Sequence, residues 1–203
     1  MHPYATDSPG SPKLFWAIAL LGLGFSSVVG CLTSALGGSG GWQVGSVSGM
    51  TCFAIIYYIF DYVLWKGRLV RRALLVPDLN GVWECSGRTV TRGPESLNIH
   101  WKGELLVRQC WSRISVVLST AQSRSCSIAA SVYRDAGGGY RLIYHYDNDP
   151  SQAEQELARH TGLCRIVFPA DLETGSGDYF TDKDRMTVGT INLVRKELSR
   201  ESA

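Results

Sequence analysis

The sequence predicts two unlike parts: an N-terminal two-helix transmembrane hairpin, followed by an all-β domain that forms an eight-stranded antiparallel β-barrel. The first observation is charge. The chain holds 20 Lys and Arg and 18 Asp and Glu residues, yet residues 1–65 contain only Asp7, Lys13 and Asp61. Two long apolar runs lie within that uncharged part, and short alternating runs separated by Gly and Pro follow residue 77. This division excludes a uniform soluble globule.

The first apolar run, residues 14–37, follows a short N-terminal segment, residues 1–13. It has no charged residue over 24 positions, which is enough for a helix to cross a hydrocarbon core of about 30 Å at about 1.5 Å per residue. Only Lys13 precedes the run as a basic residue, and a second apolar run follows. A transmembrane helix is therefore favoured over a cleaved signal peptide.

The second apolar run, residues 46–65, is reached through an uncharged loop, residues 38–45. A basic juncture and linker, residues 66–77, comes next and opens with the sequence KGRLVRR. Positive charge beside a membrane helix stays in the cytoplasm. Both chain termini and the domain that follows are therefore predicted to be cytoplasmic.

Small residues recur at every fourth position of the first helix, at Gly22, Ser26, Gly30 and Ser34. Gly45 and Gly49 repeat that spacing before the second helix. Such a stripe permits close approach of helices in lipid. Two interpretations stay open: packing of the hairpin against itself, and assembly between protomers.

The domain over residues 78–197, with a tail at 198–203, alternates strand and turn signals that amount to about eight short strands. A barrel of eight strands holds side chains or one small ligand inside. The glycines at 137–139 indicate a hairpin turn rather than a phosphate loop. The stretch SQAEQELARH, residues 151–160, is predicted to be a helix that caps the barrel.

Alternation predicts which side chains face the barrel interior. In YRLIYHY, Leu142, Tyr144 and Tyr146 share one face. Along residues 104–118 five apolar residues at even positions are predicted to be interior: Leu106, Cys110, Ile114, Val116 and Leu118. Arg108 and Ser112 have the same parity. An arginine in that row must pair with an anion, reach the barrel mouth, or follow a bulge that reverses the parity.

Catalytic and metal-binding patterns are missing from the sequence. HExxH and GxxxxGK do not occur, and the histidines are scattered. The six cysteines form no CxxC pair and have no histidine at metal-ligand spacing, which indicates free thiols in a reducing compartment. No catalytic residue, metal or cofactor is therefore expected, and a net charge of +2 argues against a long nucleic acid as partner.

Aromatic, arginine and small polar residues near the ends of the predicted strands indicate a binding site. Bases stack on aromatic rings and arginine binds phosphate oxygens in a bidentate way, so this mixture suits a nucleotide. The alternative is that the aromatic rings fill the barrel and the arginines pair with nearby acids. The candidates are Arg108, Trp111, Ser112, Tyr144, Tyr146, Asn148, Tyr179, Phe180 and Arg185.

The order of features resembles a known family. After two apolar helices and a basic juncture come PDLNGVWECSG, VRQCWSRI, YHYDNDP, HTG and GDYFTDKDRMTVGTINL. This resembles the SMODS-associating two-transmembrane β-strand-rich effectors of bacterial CBASS anti-phage systems. The resemblance implies a lipocalin-like barrel that senses a cyclic dinucleotide made by a partner CD-NTase. It also implies a multi-pass protein of the inner membrane that assembles into a homo-oligomer and disrupts that membrane.

The same resemblance implies which residues bind the ligand, and adds His160 of HTG to the candidates. The full set is Arg108, Trp111, Ser112, Tyr144, Tyr146, Asn148, His160, Tyr179, Phe180 and Arg185. A membrane-tethered barrel that binds a lipid or another apolar molecule is the alternative. A buried Arg108 or Arg185 would favour the nucleotide, because an apolar carrier should not bury an arginine. A hydrolase is disfavoured by the missing nucleophile and base.

Overall fold

The computed structural model describes residues 1–7, 11–36, 49–91, 98–150, 159–182 and 186–196. The chain divides into two units. Residues 8–74 form the helical unit, and residues 1–7 together with residues 75–203 form the barrel unit. The chain therefore starts in the barrel unit, leaves it, and returns to it.

The helical unit contains α1, Ser11–Leu36, α2, Gly49–Tyr62, a 3-10 turn, Leu64–Lys66, and α3, Arg68–Leu74. Within α1, Lys13–Leu32 is long and apolar enough to cross a membrane, judged by length and composition. The helix α2 is apolar but shorter, and ends before the 3-10 turn in which Trp65 is fully buried. The predicted second span, residues 46–65, is thus not one continuous helix over its described part.

Small residues allow α1 and α2 to pack closely. A Cβ atom on Gly22 would lie 2.9 Å from the Phe53 backbone, and one on Gly49 would lie 2.8 Å from Leu23 Cδ2. A Cβ atom on Gly30 would meet nothing within 4 Å. Packing between the two helices therefore explains Gly22 and Gly49, and the contacts among the described residues leave the role of Gly30 open. Gly45 lies outside the described residues.

Nine strands build the barrel unit over its described residues. The eight strands between residues 78 and 197 agree with the predicted number, whereas β1 lies in the segment 1–13, for which no strand was predicted. The strands are β1 His2–Thr6, β2 Gly81–Thr91, β3 Asn98–Gln109, β4 Arg113–Thr120, β5 Ser123–Arg134, β6 Tyr140–Pro150, β7 His160–Phe168, β8 Thr174–Thr181 and β9 Thr187–Arg195.

Antiparallel pairing joins each strand from β2 to β9 to the next, and β2 also pairs with β9, so that the sheet closes as a barrel. Between β4 and β5 the direct pairing covers only Val117–Ser119 against Arg124–Cys126. Beyond that stretch β1 lies between the two strands, antiparallel to β4 and parallel to β5. The predicted hairpin turn at 137–139 joins β5 to β6, and the positive φ angles of Gly138 and Gly139 explain the glycines there.

One prediction about the barrel interior is wrong. In β3 the buried positions are the odd ones, Leu105, Val107 and Gln109, so Arg108 lies on the outer face and is exposed. In β4 the even positions are interior as predicted. The chain turns between the two strands, where the Cys110 N–H donates to the Arg113 carbonyl at 2.9 Å. Residues 104–118 are therefore two strands, and the turn reverses the parity.

The predicted capping helix, residues 151–160, lies outside the described residues at 151–158. At its end the prediction is wrong, because Arg159 is not helical and His160 begins β7. His160 is placed by pairing with Asn148 of β6. Strand pairing across the barrel therefore overrides any local helical preference at this position.

One end of the barrel is closed by packing around Trp83, and we call it the Trp83 end. The indole N–H of this fully buried residue donates to the Leu79 carbonyl at 3.1 Å. The Arg195 guanidinium lies 4.9 Å from the Trp83 ring centroid and donates to the carbonyls of Asp78 and Asn80. The Phe168 ring packs on the other side, at 5.0 Å between centroids. The Trp83 indole N–H and the Arg195 guanidinium are therefore both satisfied inside the protein.

Candidate ligand site at the far end of the barrel

The opposite end of the barrel, which we call the Tyr146 end, collects polar and aromatic side chains on the inner face. Strand register brings them together: Tyr146 lies opposite Gly162, and Gly162 lies opposite Thr181. Tyr179 lies opposite Gly189, which lies opposite Thr89. Thr89 follows Trp83 by six residues on the same strand, about 20 Å away at 3.3 Å per residue. The two ends are thus separated by the length of the barrel.

Three glycines make room for aromatic rings at this end. A Cβ atom on Gly87 would collide with the Trp101 indole, and one on Gly189 would collide with the Tyr179 ring. Gly162 bears the same relation to Tyr146. Each ring lies over a glycine of another strand. A larger residue at that position would displace the ring. The rings are therefore held against the barrel wall.

Hydrogen bonds fix two of these rings to each other. The Trp101 indole N–H donates to the Tyr179 hydroxyl at 3.0 Å, and the ring centroids are 6.1 Å apart in an edge-on arrangement. The Tyr179 hydroxyl also makes a short hydrogen bond with the Thr89 hydroxyl. Trp101 and Tyr179 are half-buried, so part of each ring can contact a ligand.

Amide and hydroxyl groups supplement the rings. The Ser125 hydroxyl donates to Asn148 Oδ1 at 2.6 Å, and both side chains are buried. The hydroxyls of Thr181 and Thr187 lie 2.9 Å apart. His160 lies opposite Asn148 in the ladder and is half-buried. This end therefore offers donors and acceptors of the kind that bind base edges, ribose hydroxyls and phosphate.

Below this layer the interior is neutral. Burial raises the pKa of the Cys85 thiol to about 12, and burial likewise raises the pKa of Cys164 to about 12. Burial also raises the pKa of Tyr144 well above its ordinary value, and its hydroxyl is hydrogen-bonded to Cys164. All three groups are uncharged at neutral pH, so no thiolate nucleophile lies under the site.

A cavity of about 480 Å³ lies at the ends of β8 and β9, a volume typical of small-ligand sites. Its walls combine inner-face residues with residues of the outer face. The Arg165 guanidinium in that wall is paired with Asp178 at 2.6 Å, so its charge is compensated. The lining residues are Arg165, Asp178, Tyr179, Phe180, Thr181, Asp182, Met186, Thr187, Val188 and Gly189.

Five of the predicted site residues lie together. Tyr146, Asn148, His160 and Tyr179 occupy the inner face of the Tyr146 end, and Tyr144 lies one layer below, with its ring 6.1 Å from that of Tyr146. Phe180 follows Tyr179 on the strand and therefore faces outward, with 44% of its surface exposed. It borders the cavity from outside the barrel.

The other predicted site residues are elsewhere. Trp111 and Ser112 lie in the turn after Gln109, whose N–H donates to Asn80 Oδ1 near the Trp83 end. Arg108 lies on the outer face and is not buried. Its position therefore favours neither a nucleotide receptor nor an apolar carrier. Arg185 lies outside the described residues. The described members of the predicted set thus do not all lie together.

Sequence reasoning missed Trp101, Thr89, Ser125, Thr181 and Thr187 at the Tyr146 end. Alternation along each strand could have predicted the first two. Every second residue of β2 from Trp83 faces the interior, which includes Gly87 and Thr89, and every second residue of β3 from Leu105 does the same, which includes Trp101. The positions of Ser125, Thr181 and Thr187 could not be predicted in this way, because the sequence of one strand does not determine its register with its neighbours.

Comparison with known proteins identifies the family. The family described as "Cap15, cyclic dinucleotide receptor domain" matches residues 74–195. This chain belongs to the Cap15 family. CD-NTase-associated protein 15 of Yersinia aleksiciae is 37% identical over 142 residues, which cover 70% of this chain and 66%, just under two thirds, of the relative. The CBASS family that the motifs predicted is confirmed, and the receptor domain coincides with β2 to β9, without β1.

Proposed function

We propose that the protein is a CBASS effector whose barrel unit binds a cyclic dinucleotide at the Tyr146 end. The observation that carries this proposal is the coincidence of the family's receptor domain with a barrel that is closed by packing at one end and lined with aromatic and hydrogen-bonding groups at the other. The ligand would come from a partner CD-NTase.

The side chains at this end fit the parts of a cyclic dinucleotide. A base stacks on the exposed part of the Trp101 or Tyr179 ring, and stacking of this kind is sequence-tolerant. The Asn148 amide and the threonine hydroxyls bind base edges and ribose. His160 supplies a basic group for phosphate, and Arg185 stays a candidate for the second phosphate. A lipid fits this end poorly, because the buried Asn148 and Ser125 would face an apolar chain.

Binding is tested by titrating the full-length protein in detergent with cyclic di-AMP, cyclic di-GMP, cyclic GMP–AMP, cyclic di-UMP and cyclic UMP–AMP, using isothermal calorimetry. We expect saturable binding of at least one of them. Asn148→Ala should weaken that binding by about 1–3 kcal/mol, because a ligand group that pairs with the amide is left without its hydrogen bond.

Asn192→Ala is the matched control, since Asn192 is exposed on the outer face of β9. It should bind like the parent. No binding of any of the five compounds, or equal losses in both variants, would contradict the proposed site.

The helical unit is proposed to cross the inner membrane twice, with the lipocalin-like barrel and both termini in the cytoplasm. The chain leaves the barrel unit after Asp7 and rejoins it at Leu75, so the two ends of the helical unit are attached to one domain. A domain on one side of a membrane requires an even number of crossings. The basic residues of 66–77 put that side in the cytoplasm.

Ligand binding is proposed to drive oligomerisation of the protein and disruption of the membrane. A ligand favours assembly only if it binds the assembled state more tightly. The face of α1 that carries Gly30 is the proposed surface for assembly, because small residues recur there at every fourth position, from Gly22 to Ser34, and such a stripe permits close helix approach.

Gly30→Ile should leave cyclic dinucleotide binding unchanged and strongly reduce membrane damage, because an isoleucine prevents close helix approach. Damage is measured as membrane depolarisation in cells that make the activating nucleotide. Gly24→Ile is the control, since a Cβ atom there also meets nothing within 4 Å and Gly24 faces another direction on α1. Depolarisation by the Gly30→Ile variant equal to that of the parent would show that another surface drives assembly.

A further inference from the structure

The N-terminal strand β1 fills a gap in the barrel wall. Where direct pairing of β4 and β5 stops, His2 pairs with Ile114 of β4, and Tyr4, Ala5 and Thr6 pair with Ala130–Val132 of β5. Removing β1 would leave the edges of β4 and β5 that face it without ladder partners over this stretch. The strand lies outside the family match at residues 74–195, and its covalent connection to the rest of the barrel unit runs through the helical unit.

The first residue of β1 contacts the wall of the candidate ligand site. His2 Nε2 lies 2.7 Å from Ser127 Oγ, which accepts the Val116 N–H at 2.9 Å. Ser127 lies opposite Tyr146 on the neighbouring strand, beside a β-bulge. Two residues earlier on β5, Ser125 holds Asn148. The residue of β5 that contacts His2 and the residue of β5 that binds Asn148 therefore lie only two positions apart.

The other end of β1 is tied to the point where the chain rejoins the barrel. The buried Gln109 amide donates from Nε2 to the Tyr4 hydroxyl at 3.0 Å, and its Oε1 accepts the Leu79 N–H at 2.9 Å. Asp7 accepts the Arg134 N–H at 3.3 Å just after the strand. The strand thus runs from the ligand site towards the Trp83 end, where the chain continues to α1.

We propose that β1 is a releasable strand that reports occupancy of the Tyr146 end to α1. The inference rests on the proposed function, since it requires a ligand at that end. A ligand group that donates to Asn148 Oδ1 competes with the Ser125 hydroxyl, which disturbs β5 beside the bulge and weakens the hydrogen bond between Ser127 and His2. The strand then has two states, paired and released, and the ligand favours the released state.

Because of thermodynamic linkage, this proposal predicts that weakening β1 increases the affinity for the ligand. If the ligand binds the released state better, then any change that weakens β1 at a distance from the ligand must tighten ligand binding. A purely structural strand predicts unchanged or weaker binding. Tyr4 is the position to change, because its hydroxyl contacts Gln109 at the Trp83 end and not the candidate site.

Hydrogen exchange measures release directly. The full-length protein in nanodiscs is exchanged with and without the cyclic dinucleotide that binds it most tightly, and the peptide that contains residues 1–7 is followed by mass spectrometry. The amides of Tyr4, Ala5 and Thr6 should exchange at least several times faster with the nucleotide. Equal or slower exchange, with binding intact, overturns the proposal about β1 and leaves the proposed function standing. A complete lack of nucleotide binding overturns the proposed function.

Binding of the same nucleotide to variants provides the second test. Tyr4→Phe should bind up to about tenfold more tightly than the parent, the limit set by loss of one neutral hydrogen bond. His2→Ala, a second variant that weakens the same strand, should change affinity in the same direction. Tyr133→Phe on β5 is the control and should bind like the parent. Equal or weaker binding by both β1 variants, each folded by circular dichroism, overturns the proposal.

Discussion

The two ends of the barrel contain similar residues, but these residues differ in burial and in their hydrogen-bond partners. At the Trp83 end the indole is fully buried, donates to a backbone carbonyl and is covered by Arg195. At the Tyr146 end the Trp101 indole is only half-buried and donates to a tyrosine hydroxyl. A tryptophan whose partner is backbone holds the fold together, whereas one whose partner is a half-exposed side chain can exchange that partner for a ligand.

Replacing the two tryptophans separates these roles most strongly. Trp83→Ala should destabilise the barrel by about 3–5 kcal/mol, because it removes a large buried side chain and the ring under Arg195. Trp101→Ala should cost less stability and should weaken nucleotide binding by about 1–3 kcal/mol. Denaturant unfolding and calorimetry measure the two effects. A smaller stability loss for Trp83→Ala than for Trp101→Ala would reverse the comparison.

The neutral layer between the ends predicts how stability depends on pH. The folded pKa values of Cys85 and Cys164, about 12, exceed the usual value of 9, so the folded state keeps protons that the unfolded chain loses. These two thiols therefore leave stability unchanged below pH 9, and their contribution falls as pH rises from 9 towards 12, by about 1.4 kcal/mol per pH unit for each thiol.

Denaturant unfolding at a series of pH values measures this slope, with Cys164→Ala as the comparison. That variant should lose stability less steeply above pH 9, since one of the two thiols is gone. The same steepness in the variant and the parent would mean that Cys164 is not held neutral by burial.

A smaller effect is expected from a glycine of the Tyr146 end. Gly189→Ala should destabilise the barrel by about 1–3 kcal/mol and weaken nucleotide binding, because a Cβ atom there collides with the Tyr179 ring. Gly137→Ala, in the turn between β5 and β6, is the control, since its nearest neighbour is the Asp135 carboxylate at 3.3 Å. If both variants bind nucleotide equally well, the position of the Tyr179 ring does not matter for recognition.

Much of the barrel followed from local pattern. The alternation of Leu142, Tyr144 and Tyr146 predicted their shared face, and all three are buried. The eight strands after residue 78 were predicted from apolar alternation between turn residues. The same reasoning failed at Arg108, because the turn after Gln109 looks in sequence like the continuation of a strand. Alternation is reliable only within one strand.

Composition, periodicity and motifs are local properties of the chain, and they were enough to predict a charged β domain after apolar helices, the number of strands in that domain and the family. Tertiary structure decided that His2–Thr6 is a strand of the barrel, since five residues become a strand only beside β4 and β5. It also decided which aromatic rings meet glycines and that His160 lies opposite Asn148. Those pairings depend on register and closure, which are set by the packing of the whole barrel rather than by any one strand.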